Sequence, residues 1–314
     1  MPNGEYHYMP KHWRRAIQNM VTLIVRPYVI RELPGWGKLT FFFDYRRDWL
    51  WADAPIKTIR EKMYGDLIHL DLSTWSDRSY YFLGRWYDLE MQLLIADVVK
   101  SGDTVVDVGA NRGNFALAAS HVVGSGGKVI CFEPNPKCVN TFEDEIKLNK
   151  IGNINLQQCG LADKDDILPL TVPLINSGEG SLAGSQYKDN VMFSVPVRRG
   201  DDILVNEEPS VIKVDVEGFE TKVLLGLIKT IKRCSPVVIT EVIASHLERA
   251  GSSVEDLKNM MDGLGYKGFK LDLRKTDRRY DWCFSEFDAS KDCDVVWLNA
   301  GVAKQQLILK QRYL

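Results

Sequence analysis

The chain alternates between short apolar runs and amphipathic stretches, and glycines mark the changes between them. The clearest example starts with the apolar run 105–108, passes through a glycine turn at 109–113 and continues as an amphipathic stretch to Val123. A second apolar run, 129–132, ends at Glu133. This order of strand, turn, helix and strand predicts one right-handed βαβ unit.

The same patterns predict further elements on both sides of this unit. Apolar faces at helical spacing predict helices at 89–99, 136–149, 219–233 (one helix or a pair) and 254–264, the last capped by Ser252 or Ser253. Apolar or alternating runs predict strands at 67–72, 153–159, 211–216, 236–242, 267–273 and 294–298. Residues 164–202 interrupt this alternation, and the runs 167–172 and 193–197 predict an antiparallel pair of strands there.

Three regions follow from this organisation. Residues 1–77 are irregular in pattern and form a predicted lead-in or cap segment. The main domain is predicted at 78–300, and residues 301–314 form a C-terminal tail. The aromatic side chains of the lead-in are typical of packing against a main domain, and an acceptor-binding surface is the alternative interpretation.

The lead-in itself contains two predicted elements. A helix is predicted around Trp13 and is expected to end before Pro27, and a strand is predicted at 39–43 after a Pro-Gly turn. A helix that lies on a membrane surface is a further alternative for this segment. The basic residues that suggest it are Lys11, Arg14 and Arg15.

Composition and charge restrict the class of protein. Of the 314 residues, 45% are hydrophobic and 26% charged, as in ordinary soluble globular proteins, and the net charge of −2 gives no electrostatic reason to expect nucleic acid. The six cysteines form no Cys-x-x-Cys pair, which predicts free thiols in a reducing, cytoplasmic compartment and argues against zinc. No apolar leader is visible, and the run 21–25 is far shorter than the roughly 20 residues of a membrane helix.

The glycine turn carries the first candidate chemistry. Its spacing differs from the G-x-G-x-x-G of dinucleotide sites, which argues against a nicotinamide-dependent oxidoreductase. Asp107 at the strand end would repel a pyrophosphate but suits the ammonium group of S-adenosylmethionine. Gly109 and Gly113 allow a sharp turn and close approach of a ligand. Glu133 lies 24 residues after Gly109, where a carboxylate can accept hydrogen bonds from a ribose diol.

Charged residues are concentrated at the end of another predicted strand. Four ionisable residues lie in or directly after the apolar run 211–216, and they are costly to bury unless paired or used. They are Lys213, Asp215, Glu217 and Glu220. The strand predicted at 236–242 also ends in an acid, Glu241. An exposed charged turn, or a structural pairing of Lys213 with the acids, is the alternative.

These acids and one histidine are candidates for proton transfer. A reacting group that must lose a proton needs a general base, and the candidates for that role are Asp215, Glu217, Glu241 and His246. Glu241 is the first choice because it ends a strand that faces the crevice. The acids could instead hold Mg²⁺, but their spacing defines no ligand set and no metal site is predicted. The small polar loop 176–185 is interpreted as a lid rather than a flexible insertion.

As a set, these motifs resemble the FkbM-type S-adenosylmethionine-dependent methyltransferase family. The resemblance covers roughly residues 78–300. It rests on the runs Asp107–Gly113, Gly127–Pro136, Asp201–Leu204, Ile212–Glu220, Pro236–Glu241 and Leu264–Tyr266. The most specific of these is Lys-x-Asp-Val-Glu-Gly-Phe-Glu, which starts at Lys213.

The resemblance implies a fold and a cofactor site. The fold is α/β, a Rossmann-like class I methyltransferase with a mostly parallel seven-stranded sheet, an antiparallel last strand and helices on both faces. Glu133 would hold the ribose of S-adenosylmethionine, and Asp163 would lie near its adenine. The glycine turn would hold the methionine portion. The cofactor-binding residues implied as a set are Asp107, Gly109, Ala110, Asn111, Gly113, Glu133, Pro134, Asn135 and Asp163.

The resemblance also implies an activity, methylation of hydroxyls on sugars, glycolipids or natural products. Methyl transfer is an in-line displacement, in which the enzyme positions the acceptor oxygen against the methyl group. An N-methyltransferase and a non-catalytic binding module are the alternatives. The expected partner is a small-molecule or glycan acceptor, without nucleic acid or a transmembrane segment. The sequence leaves the acceptor and the oligomeric state open, a homo-oligomer included.

Overall fold

The computed structural model describes residues 9–173, 180–184, 190–276 and 280–313. The chain divides into two compact units, Met1–Asp88 and Leu89–Leu314. Within the described residues, each helix is too short or too polar to cross a membrane. The boundaries predicted at residues 77 and 300 stay predictions.

The first unit is a small helical assembly with one β-hairpin. Its elements are α1 (Lys11–Val29), two 3₁₀ helices (Trp36–Phe42 and Tyr45–Arg47), α2 (Asp48–Trp51), β1 (Ile56–Arg60), β2 (Leu67–Asp71) and α3 (Trp75–Leu83). Its core contains stacked rings of Phe43 and Phe82, 4.4 Å apart, and the edge of Trp51 on Phe82. The buried Arg78 guanidinium donates to the Phe43 carbonyl and pairs with Asp48.

Two predictions for this unit are wrong. Residues 39–43 form no strand; residues 39–42 continue a 3₁₀ helix that Phe43 ends, because the turn at Gly35 leads directly into local i→i+3 hydrogen bonding. Helix α1 runs past Pro27 to Val29, whose side chain is fully buried. Proline removes one backbone hydrogen bond near the helix end, and the N–H of Ile30 still donates to the carbonyl of Arg26. The strand predicted at 67–72 is confirmed as β2.

The second unit alternates strands and helices along most of its length. Its strands are β3 (Thr104–Val108), β4 (Lys128–Phe132), β5 (Ile154–Gln157), β6 (Gly160–Ala162), β7 (Asp166–Pro173), β8 (Asn190–Arg199), β9 (Pro209–Val214), β10 (Val237–Val242), β11 (Tyr266–Lys275), β12 (Tyr280–Glu286) and β13 (Cys293–Asn299). Its helices are α4 (Leu89–Val98), α5 (Asn114–Val123), α6 (Pro136–Asn149), α7 (Gly200–Ile203), α8 (Glu220–Leu225), α9 (Ile228–Cys234), α10 (Ala244–Arg249), α11 (Val254–Gly263) and α12 (Ala303–Arg312).

The main sheet has the strand order β12-β11-β13-β10-β9-β3-β4-β5. In the part of the sheet that runs from β10 through β9, β3 and β4 to β5, all neighbouring strands are parallel. Strand β13 is antiparallel to both β10 and β11. The predicted Rossmann-like fold, with its mostly parallel sheet and antiparallel last strand, is therefore confirmed. The described sheet has one strand more than the predicted seven, because β12 pairs with the edge of β11. Its apolar centre is only three residues long, Trp282 to Phe284, and acids flank it.

A smaller sheet follows the third parallel strand. Strands β7 and β8 form the predicted antiparallel pair, and β6 adds to β8 in parallel. The strand predicted at 153–159 was expected to be continuous, but β5 ends at Gln157 and the chain enters the second sheet at Gly160. A Cβ at Gly160 would lie 3.2 Å from Val197 on β8, so these two backbones pack closely.

The topology brings several strand ends to one edge of the main sheet. The carboxyl ends of β3, β4, β9 and β10 are adjacent there, and antiparallel β13 contributes its beginning. In open α/β sheets, the crevice outside these carboxyl ends is where ligands bind. The candidate residues that lie at the ends of β3, β4, β9 and β10 are therefore at this edge.

Candidate functional site

Asp107 occupies the penultimate position of the central strand β3. It is fully buried, and its register neighbours are Cys131 on β4 and Lys213 on β9. Neither carboxylate oxygen has a hydrogen-bond partner among the residues that the structure describes. Burial raises the pKa of Asp107 to about 6, with Lys213 acting against the rise and Asp215 adding to it. A buried carboxylate left in this state is costly for the fold, so a ligand with donor groups is its natural partner.

The turn after Asp107 has a backbone that favours glycine. Gly109 and Gly113 have φ values of +82° and +86°, and Asn111 also lies in the left-handed region. A Cβ at Gly109 would lie 1.8 Å from the carbonyl oxygen of Asp215, and one at Gly113 would lie 2.1 Å from the Phe142 ring. The sequence predicts both glycines for a sharp turn and for the close approach of a ligand. The structure gives a further reason, since neighbouring strand and helix atoms already fill the space.

Glu133 ties this turn to the end of β4. One carboxylate oxygen accepts a hydrogen bond from the Asn111 N–H and the other from the Asn135 N–H, each at 2.7 Å. Burial raises its pKa to about 7, although both backbone hydrogen bonds oppose the rise. Each oxygen keeps a second lone pair, so the same carboxylate can still accept from a diol.

The residues that follow Glu133 open helix α6. Asn135 caps it, with its side-chain oxygen accepting from the Lys137 N–H at 3.0 Å, and Pro136 is in the first turn. The Cys138 thiol donates to the Asn111 side chain at 3.3 Å. The predicted cofactor-binding residues from Asp107 to Asn135, with Ala110 and Pro134 among them, are therefore close together.

Asp163 has a different setting from the one expected. It was predicted to follow the third strand of the main sheet, but it follows β6 of the smaller sheet. The chain there is packed tightly, because a Cβ at Gly226 would lie 1.9 Å from the carbonyl oxygen of Ala162. Asp163 is half-buried. Its predicted place near the adenine stays a prediction.

Lys213 provides a positive charge in the middle of the acids. Its ammonium group lies 2.7 Å from Asp215 and 5.6 Å from the centre of the Phe115 ring. Burial disfavours its charged form, but Asp215 and Asp107 together raise its pKa above the ordinary value. The predicted pairing of Lys213 with neighbouring acids is thus present for Asp215.

Glu220 serves the backbone of the same turn. One of its oxygens accepts from the N–H groups of Val216 and Gly218, both at 3.1 Å. Burial raises its pKa to about 7, against the effect of these bonds. Glu220 therefore holds the turn that carries Glu217, whose φ is +56°.

Glu217, Glu241 and His246 converge beside this turn. Nδ1 of His246 lies 3.0 Å from Oε2 of Glu217. One ligand atom from each of the three residues lies within 4.8 Å of the others, so the group could hold a metal ion. Helix α10 approaches closely, since a Cβ at Gly218 would lie 2.3 Å from the His246 carbonyl oxygen. Sequence spacing did not show this grouping, because His246 comes from a separate short helix.

The surroundings of Glu241 favour its protonated form. Burial raises its pKa well above the ordinary value, and the charges of Asp215, Glu217, Asp294 and Glu220 add to the rise. Asp294 is opposite Glu241 on β13, and burial raises its pKa to about 6. Sequence reasoning missed Asp294. Its signal was an acid at the start of an apolar strand, but only the antiparallel pairing brings that start to this edge.

The segment predicted as a lid lies partly outside the described residues, which include only Gly180–Gly184 of it. Ser181 exchanges backbone hydrogen bonds with Thr171, both at 3.0 Å. Its buried hydroxyl donates to the carbonyl oxygen of Glu217 at 2.8 Å. A Cβ at Gly180 would lie 3.8 Å from the Asn135 side chain. This piece of the loop therefore contacts both the acid turn and the start of α6.

Comparison with known proteins gives a family and several relatives. "Methyltransferase 1" of Beauveria bassiana is 32% identical over 146 residues, which are 39% of this chain and 57% of that protein. "Hexuronic acid methyltransferase AglP" of Haloferax volcanii is 28% identical over 163 residues, 46% of this chain and 59% of that one. The chain thus spans less than two thirds of the length of these curated relatives.

A solved structure of the methyltransferase FkbM from Methylobacillus flagellatus matches with a TM-score of 0.42 and 19% identity, over 83% of this chain and 60% of that one. The family model "Methyltransferase FkbM domain" matches residues 107–268, just over half of the chain. The match begins at Asp107 and includes the glycine turn, Glu133 and the cluster around Glu241. The chain belongs to the FkbM methyltransferase family.

Proposed function

We propose that this methyltransferase uses S-adenosylmethionine and methylates a hydroxyl of a sugar, glycolipid or natural product. The observation that carries the proposal is Asp107, a fully buried carboxylate with both oxygens unpartnered among the described residues. It lies beside a glycine turn that Glu133 holds. The ammonium group of a bound cofactor would balance the negative charge of Asp107 and donate hydrogen bonds to it. Few common cofactors carry an ammonium group.

Different residues of the site suit different parts of that cofactor. Asp107 and the turn that includes Gly109 and Asn111 would hold the methionine portion, and Glu133 the ribose diol. When bound, S-adenosylmethionine supplies an electrophilic methyl group on a sulfonium. The chain's own contribution is to orient the two reactants and to exclude water.

For the acceptor proton, the geometry favours His246 over Glu241. Burial and the neighbouring acids favour the protonated form of Glu241, which cannot act as a base. His246 lies 3.0 Å from Glu217, and a carboxylate at that distance stabilises an imidazolium. We propose that His246 accepts the hydroxyl proton and that Glu217 supports the resulting charge. Asp215 is paired with Lys213 and would contribute mainly to the electrostatic potential of the site.

The class of acceptor is supported by one relative. The printed name of the Haloferax volcanii relative describes a hexuronic acid methyltransferase. Sugar derivatives are therefore the first acceptors to test. The cluster of acids in the crevice would also suit a cationic acceptor. N-methylation is therefore the alternative reaction, and methyl transfer to such an acceptor would support it.

Metal assistance is a second candidate mechanism, which the convergence of Glu217, Glu241 and His246 favours. A divalent cation there would lower the pKa of a bound hydroxyl without a protein base. Turnover that is lost after treatment with a chelator and restored by Mg²⁺ or Mn²⁺ would support this mechanism. Turnover that survives the chelator would favour His246.

The compartment is proposed from the cysteines. All six are free thiols, and four of them are buried. This state suits a reducing, cytoplasmic environment.

The decisive experiment is calorimetric titration of the purified protein with S-adenosylmethionine and, separately, with NADH. Binding of the first alone, and its loss in Asp107→Asn, would support the proposed cofactor. Asp166→Asn is the matched control, because Asp166 is an exposed acid at the start of β7. No binding of S-adenosylmethionine to the wild-type protein would sink the proposal. Transfer of a labelled methyl group to a panel of sugars and uronic acids would then identify the acceptor.

A further inference from the structure

Helix α1 has two apolar faces, and the described residues cover only one of them. Val21, Val25 and Val29 are buried within the first unit. A second apolar set lies on a neighbouring side of the same helix. We call this set the α1 outer face; it consists of Trp13, Ile17, Met20, Leu23 and Ile24.

The α1 outer face is continuous and exposed. Trp13, Ile17, Met20 and Ile24 follow one another at spacings of three or four residues, which places them on one side of a helix. Leu23 extends the same side. The exposed fractions are 60% for Trp13, 53% for Met20, 78% for Leu23 and 64% for Ile24. Single exposed apolar residues are common, but a contiguous patch on a helix indicates an interaction surface.

The charge of the helix indicates what covers this face. Residues 9–31 contain no acid and five basic residues, in a chain whose net charge is −2. Those basic residues are Lys11, Arg14, Arg15, Arg26 and Arg31. Arg14 pairs with Asp53, and Arg26 lies over the Tyr81 ring, while Lys11 and Arg31 are exposed. The segment as a whole therefore attracts an anionic partner.

We propose that the α1 outer face docks on the surface of an anionic lipid bilayer. An apolar face beside basic residues, with an exposed tryptophan, is what a helix in the plane of a membrane interface requires. A second copy of the chain fits less well, because it would bring five more cations to the same place with no acid on the helix to pair with them. Helix α1 lies on the bilayer and does not cross it.

The test is co-sedimentation of the full chain with vesicles. One preparation contains phosphatidylcholine with about 30% phosphatidylglycerol, and the other contains phosphatidylcholine alone. The protein is expected to pellet with the anionic vesicles and to remain largely in the supernatant with the neutral ones. About 0.5 M NaCl should weaken the anionic binding several-fold, because it screens the basic residues. Wild-type protein that stays in the supernatant with anionic vesicles overturns the proposal.

Two variants locate the binding on this face. Leu23→Asp and Ile24→Asp each place a charge on the α1 outer face, and both should raise the lipid needed for half-binding by about tenfold or more. Leu307→Asp is the matched control, because Leu307 is 58% exposed on the separate helix α12. It should bind like the wild type. Equal binding by Leu23→Asp and the wild type overturns the proposal.

Sedimentation velocity without lipid tests whether a second copy of the chain binds the α1 outer face instead. The wild type and Leu23→Asp should have the same mass. A wild-type dimer that Leu23→Asp dissociates would assign the α1 outer face to a second copy and overturn the bilayer proposal. None of these measurements depends on cofactor binding or turnover, so this inference and the proposed function fail independently.

Discussion

The carbonyl oxygen of Asp215 occupies the space that a side chain at Gly109 would need. A Cβ at Gly109 would lie 1.8 Å from that oxygen. Gly109 begins the turn after β3, and Asp215 directly follows β9 and donates its N–H to the Val108 carbonyl oxygen. The close approach therefore joins the predicted cofactor turn to the acid cluster.

We expect Gly109→Ala to destabilise the protein by about 2 kcal/mol or more and to abolish cofactor binding. The alanine is strained at a φ of +82°, and its Cβ also meets a backbone atom that cannot swing away. Urea unfolding and calorimetric titration would measure the two effects.

Two control glycines separate the causes of this loss. Gly102 has a φ of +89° but open space around its Cβ, so Gly102→Ala should cost about 1 kcal/mol. Gly126 has open space and no positive φ, so Gly126→Ala should change stability little. Equal losses for Gly109→Ala and Gly102→Ala would contradict the role of the contact with Asp215.

The sequence alone predicts that the residues proposed to hold the methionine portion and the ribose lie close together, but it does not predict the acid cluster. Asp107, the glycine turn and Glu133 lie within one βαβ unit, so local spacing predicts their proximity. Glu217, His246 and Asp294 come from separate elements, and their meeting depends on strand order and on the antiparallel β13. No periodicity in the chain records that order.

Errors in the predicted fold also have physical causes. Phe41 and Phe42 suggested a strand, but none of the described strands pairs with them, and the segment forms a 3₁₀ helix with both side chains exposed. The chain leaves the third strand early because β6 pairs with β8, a contact between residues far apart in sequence. Tertiary pairing of this kind overrides local propensity.

We expect Asp107→Asn to gain stability relative to the wild type as the pH rises. Asp107 has a pKa of about 6 in the folded state, raised from 3.8. The folded wild type therefore holds a proton that the unfolded chain has lost, and a rising pH favours unfolding. Between about pH 4.5 and 7.5 the difference in unfolding free energy should shift by about 2 kcal/mol in favour of the variant.

This comparison cancels constant effects of the substitution, such as the burial of an amide. Denaturant unfolding of both proteins at several pH values would measure it. A difference in stability that stays constant over this range would mean that Asp107 is not buried as a costly charge. The gain in stability should come with a loss of cofactor binding, because the same carboxylate is proposed to meet the ammonium group.

Cofactor affinity should fall as the pH drops below about 7. Glu133 has a pKa raised to about 7 without ligand, and its ionised form is the one that accepts from a ribose diol. Below that pKa, each pH unit should weaken binding by up to about tenfold for one proton that must leave. Titrations in buffers of different ionisation enthalpy should show proton release at pH 6.5. Glu133→Gln should bind weakly and show a flatter profile, whereas an unchanged affinity from pH 6 to 8 in the wild type would contradict the assignment.

We expect Glu241→Gln to retain turnover at pH 7 within a few-fold, because burial and the neighbouring acids favour the protonated form of Glu241, which glutamine resembles. His246→Ala should lower kcat by about 10² or more without a change in cofactor affinity, as expected for loss of a base. Added imidazole should restore part of its activity. If Glu241→Gln is as slow as His246→Ala, the acid and not the imidazole takes the proton, or both hold a metal.

Ser181→Ala should lower kcat several-fold while cofactor affinity changes little. The Ser181 hydroxyl donates to the carbonyl oxygen of Glu217 at 2.8 Å, and loss of a buried hydrogen bond costs about 1 kcal/mol. That bond holds the turn from which Glu217 reaches His246. Ser120→Ala removes a comparable buried hydroxyl, bonded to the Leu117 carbonyl in α5. Steady-state kinetics should show a reduced kcat only for Ser181→Ala; an equal reduction in both variants would mean that general destabilisation, not the position of Glu217, causes the loss.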